Sequence, residues 1–529
     1  MPSASPPRDE ATASDDSATA HESVDSTPKP LDRIRRRIRE RATVDTRALA
    51  TLRIALGVIL LIDLAHRAGD ISTFYTDDGA YPRASYETAS LWDGYSIHAL
   101  SGELWVQVAL FAVAAAFAIA LVCGYRTRLV AVVSLVLLVS LHARNPALLN
   151  GGDRLLRVVL FVALVTPLGE RWSVDALRRG RARTRVAGVG VAALLVQPVA
   201  VFTANALQKR DGDTWFAGEA VEIAMANDEM TILLGNHLDQ YATLLELGTW
   251  LWVALLSGSA LLLLGTTGRL RALVALCYIG AFAGMALTLS VGLFPYVLAA
   301  SVVPFLTTPF WDRLARLVPE RVKSATGRIP AAVPGPLTAT PVERRALARL
   351  RRNGNASTAS FAVAFGRSFL TVAGVLVLCW ILLFSATNAT DYDAPSEIEA
   401  VAPDEQHWGL YAPDPSETYT WYVSAAELED GTVVDAVDGG EVLTDRPPDA
   451  AATHDSFRHR KFAETVRSSS YDDAPVVAER YVEWACTQAT QRHDDGVEAV
   501  SFTMVSQPSP IDGTYEEPRE TTLIERECA

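Results

Sequence analysis

The stretch His142-Ala143-Arg144-Asn145-Pro146-Ala147-Leu148-Leu149-Asn150-Gly151-Gly152-Asp153-Arg154-Leu155-Leu156-Arg157 is a polar hinge between two apolar runs, 131–141 and 158–167. Pro146 lacks an N–H and the Asn-Gly-Gly turn favours open backbone, so no helix runs through it. Asp153 stands where an N-cap is expected, and Arg154 and Arg157 share the first-turn face of the next helix. A histidine, three arginines and a helix N-terminus thus converge, which suits an anion. A second reading stays open: these side chains snorkel to headgroups, or pair with Asp153 and Asp63.

Outward from the hinge, apolar runs of bilayer-crossing length recur. Spans are expected at about 47–65, 104–123, 128–142, 154–168, 187–206, 247–265, 269–288, 290–307 and 367–387. The fold expected is an all-α polytopic membrane core of about nine transmembrane helices with a small C-terminal α+β extracytoplasmic domain. Half of the 529 residues are hydrophobic while the net charge is −14, so apolar and acidic residues must be segregated. Residues 1–45 read as a disordered acidic segment followed by a basic one, without a signal-peptide h-region. The core occupies 46–310, a basic linker 311–366, the last span 367–387 and the external domain 388–529. Arginines at 33–39, 126–128, 178–185, 269–271 and 313–352 alternate with acidic loops, which places the N-terminus in the cytoplasm and the C-terminal domain outside. On that topology the sequon at Asn388 is external and the one at Asn355 is not.

Acidic external segments disfavour nucleic acid and leave the lipid bilayer as the partner composition demands. The only lysines are Lys29, Lys209, Lys323 and Lys461, and an acidic, lysine-poor chain resembles a salt-adapted proteome. No cysteine–histidine cluster has zinc spacing, so no metal is expected. Cys486 and Cys528 lie in the external domain, and a disulfide between them is expected. In that domain Thr418–Ala425 and Thr432–Val437 read as a hairpin, His454–Arg467 and Pro475–Arg492 as helices, and Val497–Gln507 and Thr521–Glu527 as strands. Within the first span Arg53 and Asp63 are ionisable residues at depth, each a candidate binding group or a packing pair.

Further motifs carry a family resemblance. They are Arg144-Asn145-Pro146 with Asn150-Gly151-Gly152-Asp153, Trp172-Ser173-Val174-Asp175-Ala176-Leu177, Gln208-Lys209-Arg210-Asp211-Gly212-Asp213-Thr214-Trp215, and Gln406-His407-Trp408-Gly409-Leu410-Tyr411-Ala412-Pro413-Asp414-Pro415. Together they resemble the horizontally transferred transmembrane domain family, relatives of vitamin K-dependent gamma-carboxylase, in a form of haloarchaeal type. The resemblance is compatible with a quinone or lipid pocket, without fixing a cofactor, and implies Lys209 as the match to the base that starts quinone chemistry. A desolvated lysine can serve as a base, and an interfacial lysine paired with Asp211 or Asp213 is the alternative. The family enzyme's Asn-Asn-His turn appears here as Asn150-Gly151-Gly152, which argues against carboxylation.

Two functions follow. One is a membrane enzyme or maturation factor acting at the outer face on a peptide or small acid. Its ligand site would draw on Arg53, Asp63, His142, Arg144, Asn145, Asn150, Asp153, Arg154, Arg157, Asp211 and Trp215, with Lys209 as base, and Arg53, Asp63, Lys209 and the arginine cluster would share one cavity. The other is a non-catalytic membrane scaffold or immunity-type protein whose external domain binds a partner.

Overall fold

The computed structural model describes residues 30–86, 96–180, 182–227, 230–317, 368–383, 409–442, 444, 454, 456–493, 496–508 and 516–528. The sequons at Asn355 and Asn388 and residues 406–408 lie outside them. Helix α1 (Pro30–Arg41) lies, as far as Glu40, in a first unit of the chain, with Arg36 and Glu40 paired along it at 3.5 Å.

In the second unit β1 (Thr43–Asp45) leads into α2 (Thr46–Gly69), followed by the short α3 (Ile71–Tyr75) and α4 (Arg83–Tyr86). Next come α5 (Leu104–Cys123), α6 (Thr127–Arg144), α7 (Gly151–Leu164), α8 (Val174–Arg179), β2 (Arg185–Ala187) and α9 (Val189–Lys209). The short α10 (Thr214–Ala217) and α11 (Ala220–Ala226) precede α12 (Ala242–Ser259), which runs on as a π-helix to Gly265. Then follow α13 (Gly268–Thr288), α14 (Phe294–Val302), α15 (Thr308–Leu317) and α16 (Ser368–Leu383).

Six of these helices are long and apolar enough to cross a bilayer among the described residues: α2, α5, α6, α9, α12 with its extension, and α13. The sequence expectation of about nine differs at three places. Helix α7 has only 14 residues, about 21 Å of rise. Most of its apolar side chains face protein: Leu155, Leu156, Val159 and Leu160 are wholly buried, while Phe161 is exposed. Helices α14 and α15 pass as one span only as a pair bent by 104°. Of the span expected at 367–387 only Ser368–Leu383 is described, which falls in the shorter apolar class of 10–17 residues, and the rest lies outside the described residues. An apolar run therefore marked a buried core helix in α7 as readily as a span.

Burial sorts the long helices. In α9 67% of the apolar stretch is inside the protein, against 22% in α5, whose Leu104, Trp105, Val108 and Ile119 point outward. The β1–β2 pairing and the Thr46 hydroxyl, which donates to Arg183 O at 2.7 Å, fix the starts of α2 and α9 at one level. Two glycines permit close helix crossings. A Cβ on Gly57 would lie 2.6 Å from Val122 Cγ2, and one on Gly152 would lie 2.5 Å from the Phe294 backbone nitrogen. The second obstacle is backbone and cannot rotate away. Gly152→Ala is expected to cost about 1–3 kcal/mol, read as a lower midpoint in thermal unfolding of the solubilised protein. An unchanged midpoint would mean that α7 and α14 separate freely.

The hinge folds as a 3₁₀ turn over Pro146–Leu148, and α7 then starts at Gly151 with Asn150 as N-cap. This corrects the placement of Asp153. The Asn150 side chain accepts from the Gly152 and Asp153 N–H groups, and the Asp153 carboxylate accepts from the Asn150 N–H at 3.0 Å. Asp153 is thus the returning half of a capping box, inside the helix.

The C-terminal region is a four-stranded antiparallel sheet, order β4-β3-β5-β6, with two helices. Strands β3 (Thr418–Leu428) and β4 (Val433–Asp435) form the hairpin, with Gly431 at φ +81° in its turn. Helix α17 (Phe457–Ser470) begins three residues later than expected because Ser456 is its N-cap, accepting from Arg458 N at 3.3 Å. Helix α18 (Val476–Arg492), β5 (Val497–Pro508) and β6 (Arg519–Glu527) complete the unit, and a disulfide joins Cys486 of α18 to Cys528. Helix α17 docks on the bundle: Phe462 packs against Phe74 and Tyr81, and the Thr465 hydroxyl donates to Ala147 O at 3.0 Å. One apolar cluster therefore runs from Leu64, Phe74 and Leu148 through Phe462 and Val466 to Phe502.

Candidate functional site

That docking closes a charged cluster over the hinge. Asp63 and Arg67 are four residues apart on α2, so they share a helix face. Arg67 Nε donates to both Asp63 oxygens at 3.0 Å, its Nη2 to Asp153 Oδ1 at 2.8 Å and its Nη1 to the Tyr75 hydroxyl at 2.6 Å. Arg458, from α17, completes a square. Its Nη2 donates to Asp63 and, at 3.1 Å, to Asp153 Oδ1; its Nη1 donates to Asp153 Oδ2 at 3.3 Å and to Leu148 O at 3.2 Å. All four side chains are buried. Two carboxylates and two forked guanidiniums balance, which is the arrangement in which buried charges are tolerated. Burial pushes the Tyr75 phenol above its ordinary value, so it stays protonated.

Against this neutral square stands His142. It is fully buried, its Nε2 lies 3.7 Å from Asp153 Oδ1, and neither ring nitrogen makes a hydrogen bond. Arg157 is half-buried within electrostatic range of His142, Asp153, Arg67 and Arg154, and no described residue pairs with it. Two polar groups at one place thus lack partners while every acid nearby is engaged. Asp63 also lines a small, mostly apolar cleft between α2, α5 and α6, with Leu60, Ser134, Leu138 and Leu141. The Ser134 hydroxyl there has no partner. Ligand atoms of Asp63, His142 and Asp153 lie within 4.8 Å of one another, a spacing that could hold a metal. Each carboxylate, however, already accepts from two guanidiniums, and those positive charges oppose a further cation.

The remaining sequence candidates separate from this cluster. Arg144 donates to Tyr81 O at 3.1 Å and Tyr75 O at 3.3 Å, and Asn145 to Phe74 O at 3.0 Å, so both brace the loop above α2. Asn150 caps α7 and donates to Val291 O at 3.2 Å. Arg53 belongs to the other end of α2. It donates to Leu168 O at 3.2 Å, Arg171 O at 3.0 Å, Val122 O at 3.2 Å and Trp172 O at 2.5 Å. It thereby holds the Trp172–Leu177 motif, whose Asp175 carboxylate accepts from the N–H groups of Arg126 and Thr127. The single cavity expected from Arg53 to Lys209 is not formed, because ten residues of helix separate Arg53 from Asp63, about 15 Å.

Lys209 lies in a second cluster, where two of the sequence motifs meet. Its Nζ donates to Leu410 O and Tyr411 O, each at 2.7 Å, and sits 3.7 Å over the Trp215 ring. The Trp215 indole donates to Tyr411 O at 2.9 Å. In return Asp414 accepts from the Asp213 and Thr214 N–H groups, each at 3.0 Å, and from the Thr214 hydroxyl. Burial alone would raise the Asp414 carboxyl, but these hydrogen bonds outweigh it and hold the group below its ordinary value. Gly212 admits the contact, since a Cβ there would lie 2.5 Å from the Asp414 carboxylate. Asp211 points to solvent beside Arg210. The expected pairing of Lys209 with Asp211 or Asp213 gives way to backbone carbonyls.

Sequence reasoning missed Arg67, Tyr75 and Arg458. Arg67 carried a signal, its spacing of four from Asp63; Arg458 carried none, sitting in a polar helix like many surface arginines.

Several long apolar helices, buried ionic groups between them and a mixed helix–sheet cap define a multi-pass integral membrane protein. The HTTM domain signature matches residues 41–311, more than half of the chain, and the protein belongs to that family. No curated protein and no solved structure matches it.

Proposed function

We propose that this HTTM protein binds an anionic group, the carboxylate of a peptide or small acid, a phosphate or a quinol oxyanion, between His142 and Arg157, as part of a membrane enzyme or maturation factor. The observation that carries the reading is the pair of unpartnered groups beside a neutral square: Arg157 brings a charge and His142 two free nitrogens. An anion would accept from Arg157 and from the N–H of His142 and complete the charge balance. The half-buried Arg154 adds to the same field. Arginine-rich segments flanking α2, α8 and α13 support an N-terminus in the cytoplasm, with the site and the C-terminal domain at the outer face of the cell membrane.

Lys209 is the candidate base, and it would have to leave two carbonyls to act. The Gly151-Gly152 turn, where the family enzyme carries a histidine, supports a reaction other than carboxylation. The scaffold reading draws on a different observation: Arg67 and Arg458 already engage both carboxylates and need no ligand to do so.

The test is mass spectrometry of small molecules retained by the purified protein, comparing wild type with Arg157→Ala, His142→Phe and, as a surface control, Arg480→Ala. Loss of one desolvated cation partner weakens anion binding by about tenfold or more. The expected result is a bound anion that both site variants lose and the control keeps. Equal retention by all three variants, or no bound anion in wild type, would leave the scaffold reading.

A further inference from the structure

We propose that α1 is a bilayer-surface helix whose arginines bind anionic lipid headgroups while Ile38 enters the acyl boundary. Its twelve residues hold Arg33, Arg35, Arg36, Arg37, Arg39 and Arg41 against only Asp32 and Glu40, in a chain whose net charge is −14. Leu31, Ile34 and Ile38 recur at spacings of three and four, which sets them on one helix face. Ile38 is 61% exposed, flanked by the exposed Arg37 and Arg39. An apolar stripe beside dense positive charge is the composition of helices that lie in the headgroup plane.

Chain length supplies the independent argument for what covers it. Only residues 42–45 separate α1 from α2, the first bilayer-length helix. Four residues span at most about 14 Å, so the C-terminal end of α1 is tethered close to the start of a bilayer-length helix. Negative headgroups complement its charge, whereas the acidic remainder of the chain offers no excess of lysine or arginine for a nucleic acid.

The test uses the full-length protein in nanodiscs and reads trypsin cleavage at the α1 arginines. Discs of phosphatidylcholine alone are compared with discs containing about one-third phosphatidylglycerol, and protection of about tenfold is expected in the latter. Added salt should remove most of it by screening. Ile38→Ser, which leaves every cleavage site intact, should lose protection at low salt. A C-terminal arginine, Arg480, reports any general change in protease activity. Equal cleavage in the two lipids would overturn the proposal. Protection that persists in detergent without lipid would overturn it as well, pointing to a second copy of the chain.

Discussion

Replacing Arg458 with Met is expected to produce a large loss of stability. The guanidinium closes a square in which each of its neighbours, Asp63 and Asp153, is fully buried. Removing it leaves two buried carboxylates facing one arginine. Stranding a buried charge in this way costs about 3–5 kcal/mol. The cost falls on the junction between α17 and the helical bundle, because Arg458 also donates to Leu148 O. A lower unfolding midpoint should therefore accompany faster proteolysis of the C-terminal sheet region in the solubilised protein. Arg458→Lys should fall between, since an ammonium keeps the charge but cannot fork across two carboxylates. The informative comparison is the double variant Asp63→Asn with Arg458→Met. It removes one charge of each sign, and it should be more stable than Arg458→Met alone. If Arg458→Met melts and digests like wild type, the square does not hold the cap on the bundle.

The same square marks how far the sequence could be read. Local rules reached the elements: α2, α5, α6 and α9 announce themselves by apolar length, and β3 with β4 by a Glu-Asp-Gly turn between alternating runs. They also singled out Asp63, His142, Asp153 and Arg157, because ionisable groups in apolar runs are conspicuous. What local rules could not do was pair them. Asp63 is 395 residues from the arginine that neutralises it, and no spacing rule spans such a distance. Arg144 looked like the nearer partner, yet its guanidinium spends its donors on the carbonyls of Tyr75 and Tyr81. The N-cap slipped for a related reason. Gly151 and Gly152 read as a turn by propensity, but the close approach of Phe294 draws both into the first turn of α7.

Lys209→Met and Asp414→Ala should each release the segment 409–415 from the end of α9, and this second effect bears on what the lysine does. Three donors meet two carbonyls there: Lys209 Nζ serves Leu410 O, and with the Trp215 indole it serves Tyr411 O. Loss of the lysine orphans the Leu410 carbonyl and opens space against Trp215, at a cost of about 2–4 kcal/mol. Asp414→Ala strips the acceptor from two backbone N–H groups and a hydroxyl at the start of α10, for about 1–3 kcal/mol. Because the two residues secure one segment, the double variant should lose less than the sum. The Asp414 contribution also has a pH signature. Its folded value lies below the ordinary 3.8, so its stabilisation is complete above that value and disappears as pH falls through the lowered one. Hydrogen exchange over 409–415 reads all of these effects directly. A lysine that acts only as a clamp is replaced in part by Arg, which can donate to both carbonyls; a lysine that acts as a base is not. Protection restored in Lys209→Arg together with an unchanged bound ligand would assign the residue to structure. Protection restored while any turnover of that ligand vanishes would assign it to chemistry.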